Sequence, residues 1–346
     1  NILSRGEHWM KVSDVEKRRK GVGEPALGKY LARFGDEWVE LRGEDDAQEV
    51  RLKNLPEMRG KFEEKGKFLM VEGEEITDAY KGAQVHINAI NIGEMIKPQH
   101  GESVRETMRN NLVAVKAQAE RLKRPILAHI NHPNFHWSIT AEDIAHVMEE
   151  MFFEVYNGHP GINHMGSENP PRPGDEGIWD IANTLRLAEL GGELIYGIAS
   201  DDSHNYHGGN VMPGRGWIMV HAEKLDADSL VHAIEAGDFY GSTGVNLDSV
   251  NFDTKANILE IRIAGSDETD GRVTTKIHGT LRGEEGDPAT VGKELATYDT
   301  RVIRHQLTGN EWFVRATVTS EHDHPRPSFA GQKQKAWTQP VRPTAK

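Results

Sequence analysis

GGELIYGIASDDSHNYHGGN, residues 191–210, is the stretch whose reading decides the fold. Leu194–Ala199 is apolar and short, as a buried strand is, and it breaks into Asp201, Asp202, His204 and His207 before two glycines. Asp, Ser and Asn also favour plain turns. The texture recurs upstream, however, and that recurrence points to an α/β sheet or barrel with polar side chains gathered at strand ends.

Working outward, Ile126–Ile130 reads as a strand stopped near Pro133, and Phe152–Tyr156 as another that runs into Asn157 and His159. Phe68–Val71 and Val85–Ile92 complete the upstream set. Between them, Val104, Met108, Leu112, Val115, Ala119 and Leu122 recur at spacings of three and four, which predicts a helix over 104–123. Thr140 is placed to cap a helix over 141–150, and Gly191 to close one over 176–190. Trp217–Val220 reads as a strand, followed by a helix that Asp226 caps and Gly237 ends. This alternation predicts an α/β class with a parallel sheet or barrel wrapped by helices.

After about 245 the helices stop. Leu247–Phe252, Leu259–Ile263, Val273–Leu281, Val302–Leu307, Trp312–Val318 and a short piece near Ala336–Val341 read as strands. The expected organisation is a barrel over 1–245, with a polar, insertion-like 1–66, and a small β-rich domain with an irregular tail over 246–346.

Composition narrows the chemistry. The chain has 346 residues, 54 acidic and 41 basic, for a net charge of −13. Such a surface repels phosphate backbones and argues against nucleic acid as a partner; KRRK at 17–20 reads as a solvated helix end. No apolar run approaches the ~18 residues of a membrane helix. Cysteine is absent, so a metal must be held by His, Asp and Glu. The chain opens at Asn1, and we read it as a fragment whose natural N-terminus lies upstream.

Ten of the 17 histidines fall between His86 and His207, several at ends of predicted strands. Strand ends meet on one face of a barrel, so these residues are candidates for a common site. In VEGEEIT, residues 71–77, Glu75 or Glu74 is a carboxylate just past a strand end, able to bridge cations. His86 lies in the apolar QVHINAINI, on the same face as Asn88 by alternation. His129 and His132 flank a strand terminus beside Asn134. Asp202 and His204, two residues apart on an extended segment, can face one metal. Glu154, Asn157 and His159 in EVYNGHP read as pocket residues that support ligands.

Taken together these strings resemble the PHP (polymerase and histidinol phosphatase) superfamily: GEEIT, then QVHINA, NHPNF and SDDSH, in the family's order over about 68–245. FYGSTGV followed by a β domain ending in AWTQPV is similar to the branch that contains carbamate-type ester hydrolases. The resemblance implies a distorted seven-stranded β/α barrel with two or three divalent cations, zinc, manganese or iron. It implies Glu75, His86, His132, Asp202 and His204 as metal ligands, with His129 as a nearby candidate. The family's H-x-H and D-H motifs do not occur upstream of Glu75, so the barrel is expected to lack its first strands here. The implied activity is a metal-activated water attacking a small phosphoester, with His159 or His207 protonating the leaving group. Carboxyl-ester, carbamate or amide hydrolysis is the neighbouring expectation, and a degenerate barrel that only binds is the rival from another class. An amidohydrolase-type barrel would need a carboxylated lysine, for which no residue is well placed.

Overall fold

A computed structural model describes residues 6–17, 25–204 and 210–344. The chain is mixed α/β, with several sheets and helices. The site is positioned by a five-stranded sheet in the order Tyr196–Ser200, Phe152–Asn157, Leu127–Ile130, Ala83–Ile90, Gly73–Tyr80. Its first half is an antiparallel hairpin, Gly73–Tyr80 with Ala83–Ile90. Lys81 and Gly82 both take positive φ, 48° and 91°, the backbone that a two-residue turn needs to match strand twist. Leu127–Ile130 runs antiparallel to Ala83–Ile90 and parallel to Phe152–Asn157, which runs parallel to Tyr196–Ser200.

The all-parallel expectation is thus corrected: only the later strands, joined by helical crossovers, are parallel. The sheet ends on Gly73–Tyr80 and Tyr196–Ser200, and among the described residues no sheet closes into a barrel. A second correction concerns Phe68–Val71, which is not a strand. Arg59 donates to the Met70 carbonyl through Nε and Nη2 at 2.9 and 2.7 Å, and Met70 N–H donates to Glu63 at 2.8 Å. Side chains therefore satisfy Met70's backbone, and the strand falls on the acidic string instead. Glu75 lies within it, opposite Asn88, not past its end.

Helices cover the sheet as their periodicity predicts. Val104–Leu122 buries Met108, Leu112 and Val115. Ala141–His146 begins at a capping box formed by Thr140 and Asp143, and it ends earlier than expected. Arg186, buried in the Asp175–Ala188 helix, donates to the carbonyls of Ile144 and Val147 at 2.7 Å each, and to Glu150 O. That guanidinium does the work of a C-cap from a neighbouring helix. Trp179 is fully buried, and a Cβ on Gly197 would lie 2.9 Å from its ring, so the strand must carry glycine there.

Downstream, a six-stranded antiparallel sheet takes the order Trp217–Val220, Phe239–Ser242, Lys333–Thr338, Glu311–Asp323, Val273–Leu281, Lys293–Tyr298. A three-stranded sheet, Leu247–Asp253, Ile258–Ile263 and Val302–Gln306, shares a core with it through Leu259, Ile261, Ile277, Val314 and Val318. Trp337 joins the core of the first sheet, and Gln339 exchanges two hydrogen bonds with the Gly197 backbone at 2.8 and 2.9 Å. Phe239–Ser242 pairs with Lys333–Thr338 and carries Trp217–Val220 on its other edge, so both belong to the downstream sheet.

Glu150 carries a pH dependence. It is 1% exposed, and its carboxylate accepts Met151 N–H at 2.8 Å and Phe152 N–H at 2.5 Å. Burial pushes it up to about 8, against which those amides and Arg186 pull only weakly. With the unfolded value near 4.3, the native state holds a proton that the unfolded state has lost between roughly pH 4.3 and 8. This contribution is therefore full below that window and declines as pH rises through it. Glu150→Gln keeps the acceptor and removes the titration. Its stability relative to the parent is expected to rise by about 4 kcal/mol between pH 5 and 9, measured by urea unfolding; a pH-independent difference would refute this.

Candidate metal centre

Pleat alternation puts Glu75 and Thr77 on the face of the hairpin that also carries His86 and Asn88, since Thr77 pairs with His86 and Glu75 with Asn88. Glu74 points the other way, and its Oε1 accepts Ile96 N–H at 2.6 Å. The ambiguity between the two carboxylates is thereby resolved towards Glu75. His132 arrives from the turn after Leu127–Ile130, where Asn131 N–H donates to His86 O at 3.0 Å and Pro133 redirects the chain.

Glu75, His86 and His132 form a group that could hold a metal ion: one ligand atom from each lies within 4.8 Å of the others. Glu75 Oε1 is 2.9 Å from His86 Nδ1 and 3.6 Å from His132 Nε2, and it accepts Asn131 Nδ2–H at 2.8 Å. The two imidazoles meet edge to face at 5.0 Å, with Phe135 5.0 Å from the His132 ring. Nε2 of His86 is buried without a hydrogen-bond partner, and Nδ1 has the Glu75 carboxylate as its neighbour at 2.9 Å. Buried imidazole nitrogens are normally satisfied, so a donor set with an orphaned nitrogen beside an open carboxylate fits a cation. Glu75 keeps 35% of its side chain exposed and forms the mouth.

The electrostatics agree with that reading. Burial would raise the Glu75 carboxyl, but His132 and His86 outweigh it and hold the group well below the usual carboxylate range. Burial opposes the charged form of His132, yet Glu75, Glu154 and Asp202 raise it overall. The place where protons are held is where a cation would displace them.

Behind His132, Glu154 is buried in the Phe152–Asn157 strand. It accepts His132 N–H at 3.0 Å, Asn157 Nδ2–H at 2.8 Å and Ser200 Oγ–H at 2.6 Å. Burial raises its pKa. His129, 3% exposed, has Nδ1 unpartnered and 4.0 Å from Glu154 Oε1; burial lowers it to about 4.

Asn157 links the group to the second string, since its Nδ2–H also donates to Asp202 Oδ2 at 3.2 Å. The twin aspartates divide their duties. Asp201 accepts the backbone N–H groups of Gly214, Arg215 and Gly216 at 2.9, 2.6 and 2.9 Å and pins that segment. Asp202, at φ 45°, faces Asn157. His204 keeps 61% of its side chain exposed, 3.6 Å from Asp202 Oδ1, and its ring lies 5.5 Å from that of His159. Gly161 N–H donates to His159 Nδ1 at 2.9 Å, and burial lowers the His159 pKa. His207 lies outside the described residues.

Glu75, His86 and His132 are therefore brought together; Asp202, His204 and His159 form a neighbouring cluster bridged to them through Glu154 and Asn157. Among the described residues, Asp202 and His204 do not join the group of mutually close ligand atoms. Sequence reasoning missed Asn131, whose role depends on a carboxylate 56 residues away, although it stands beside His132 in the string. Among the described residues no helix is long and apolar enough to cross a membrane. No family model matches this chain, and no curated protein or solved structure matches it either.

Proposed function

We propose that this protein is a metal-dependent hydrolase of the phosphoesterase type, working at Glu75, His86 and His132. The observation that carries the reading is the convergence of one ligand atom each from Glu75, His86 and His132 to within 4.8 Å, with His86 Nε2 buried and unpartnered. Zinc, manganese or iron suits this nitrogen and oxygen donor set, and two or three ions would recruit Asp202 and His204 as further ligands. The PHP superfamily and its distorted seven-stranded β/α barrel are the proposed affiliation, supported by the order of GEEIT, QVHINA, NHPNF and SDDSH.

A bound divalent cation would lower the pKa of water and neutralise charge developing on a phosphoryl oxygen. The chain's residues prepare the place. Asn131 fixes Glu75, and Glu154 fixes the backbone of His132 while gathering Asn157 and Ser200. His159 has its proton on Nε2, because Nδ1 accepts from Gly161. That N–H is suited to hydrogen-bond a leaving oxygen, the role we assign to His159; His207 remains the alternative.

Two other readings share the site. Carboxyl-ester, carbamate or amide hydrolysis needs the same activated water. A binding barrel without turnover is favoured by the separation of Asp202 and His204 from the Glu75 group. The test is assay of the chain loaded with zinc, manganese or iron(II) on p-nitrophenyl phosphate, p-nitrophenyl acetate and an aryl carbamate. Metal-dependent turnover of the phosphate is expected. Turnover of the acetate or carbamate alone would transfer the assignment to ester or carbamate hydrolysis, and metal binding without turnover would leave the binding barrel.

A further inference from the structure

Asn157 closes the Phe152–Asn157 strand, and its side chain is spent in three directions. Nδ2–H donates to Glu154 Oε2 at 2.8 Å and to Asp202 Oδ2 at 3.2 Å, and Oδ1 accepts His159 N–H at 2.8 Å. The residue is 1% exposed, so water has little room to replace these partners. A primary amide has two hydrogens for two carboxylates and an acceptor besides. A hydroxyl has one hydrogen to give, and an ionised carboxylate has none.

Each partner leads to a different part of the site. Glu154 also accepts His132 N–H and Ser200 Oγ–H, so two donors hold it apart from Asn157. Asp202 lacks that reserve. Among the described residues, Asn157 is the one side chain that hydrogen-bonds its carboxylate. Its backbone takes φ 45°, a left-handed conformation uncommon outside glycine. With Oδ2 tied to Asn157, Oδ1 is the oxygen left beside His204, 3.6 Å from Nδ1. His204 depends on Asp202 in turn, since its Nδ1–H donates to Asp202 O at 2.9 Å and leaves the lone pair on Nε2.

On the reading that Glu75, His86 and His132 hold a first cation, we infer that Asn157 is the positioning residue that registers the second cluster on the first. Its amide sets Asp202, and through Asp202 also His204, to take a further cation, and it anchors the backbone of His159. The first cation does not depend on it. Among the described residues Glu75, His86 and His132 make no hydrogen bond to Asn157, and Glu154 keeps its other two donors.

Calorimetric titration of the full chain with zinc, with bound metal counted by atomic emission, reads the two sites apart. The parent is expected to take one ion tightly and at least one more. Asn157→Ser has one hydrogen for two carboxylates. It should weaken the later ion by about 10–100-fold, the range for losing a partner that orients a ligand, and leave the first unchanged. Asp202→Ala should lose that same later ion, which separates it from zinc caught by surface histidines. A parent that takes a single ion, an Asn157 variant that keeps both or weakens both alike, or survival of the later ion in Asp202→Ala would each overturn the role of Asn157 with the first site left standing. A parent that takes no ion would overturn the metal reading itself, and this role with it. The parent's count and Asp202→Ala decide the matter even if Asn157→Ser does not fold.

Discussion

Glu75→Gln is expected to lower the affinity for a divalent cation by more than about 100-fold while leaving the chain folded. Loss of a partner that merely orients a ligand typically costs 10–100-fold, and Glu75 is the only carboxylate of the close group. The amide removes the negative charge and one strong donor oxygen but keeps a carbonyl for Asn131 Nδ2–H, so the hairpin loses little. Partial exposure of Glu75 also limits the strain of the substitution. Zinc or manganese titration by calorimetry measures the affinity, and thermal melting checks the fold. An unchanged cation affinity would remove Glu75 from the site, and with it the reading of this group as a metal centre.

Asp180→Ala is expected to cost about 3–5 kcal/mol of stability, the range for leaving one partner of a buried ion pair uncompensated. Arg315, 1% exposed, donates to both oxygens of Asp180 at 2.7 Å, and also to Glu176 and to Thr317 Oγ1. Its guanidinium lies 5.0 Å from the Trp179 ring centre. Burial opposes the charged form of Arg315, and Asp180 and Glu176 raise its pKa in spite of that. Alanine leaves the guanidinium buried with Glu176 as its remaining carboxylate. The pair joins the Asp175–Ala188 helix to the Glu311–Asp323 strand, so loss should loosen the two sheets from each other. Urea unfolding of the variant measures this, and a loss below about 1 kcal/mol would show that the contact is dispensable. The double variant Asp180→Ala, Arg315→Met should recover part of the loss by removing the stranded charge.

Local signals carried the helices. The caps at Thr140 and Asp226 are read within four residues, and structure and sequence agree on them because a cap needs no distant partner. Strand presence was legible from apolar runs such as Trp217–Val220 and Val273–Leu281. Strand pairing was not. Nothing in Lys81–Gly82 resembles the Asn-Gly signal of a tight hairpin, and the hairpin is what makes half of the first sheet antiparallel. Lys293–Tyr298 was missed because its alternation is weak and mostly half-exposed.

The candidate site divides the same way. His86 stood out as a polar residue inside an apolar strand, and His132 as one at a strand terminus. Asn131, and the pairing of Asn157 with Asp202, depend on which chain segments fold against each other. The two adjacent aspartates were distinguished only by their partners, three amides for Asp201 and one asparagine for Asp202.

The two hydrogen bonds between Gly197 and Gln339 span 142 positions of sequence, and Trp337 enters the same core from the Lys333–Thr338 strand. A growing chain can therefore make the hairpin and the helix over 104–122 early. It cannot finish the packing around Gly197 until residues near 339 have left the ribosome. Until then Tyr196–Ser200 lacks a neighbour that the finished protein supplies, and its exposed backbone is a template for wrong pairing. Folding of this protein is thus expected to be slow and governed by the Lys333–Thr338 strand, and chains stopped before residue 333 should accumulate as aggregates.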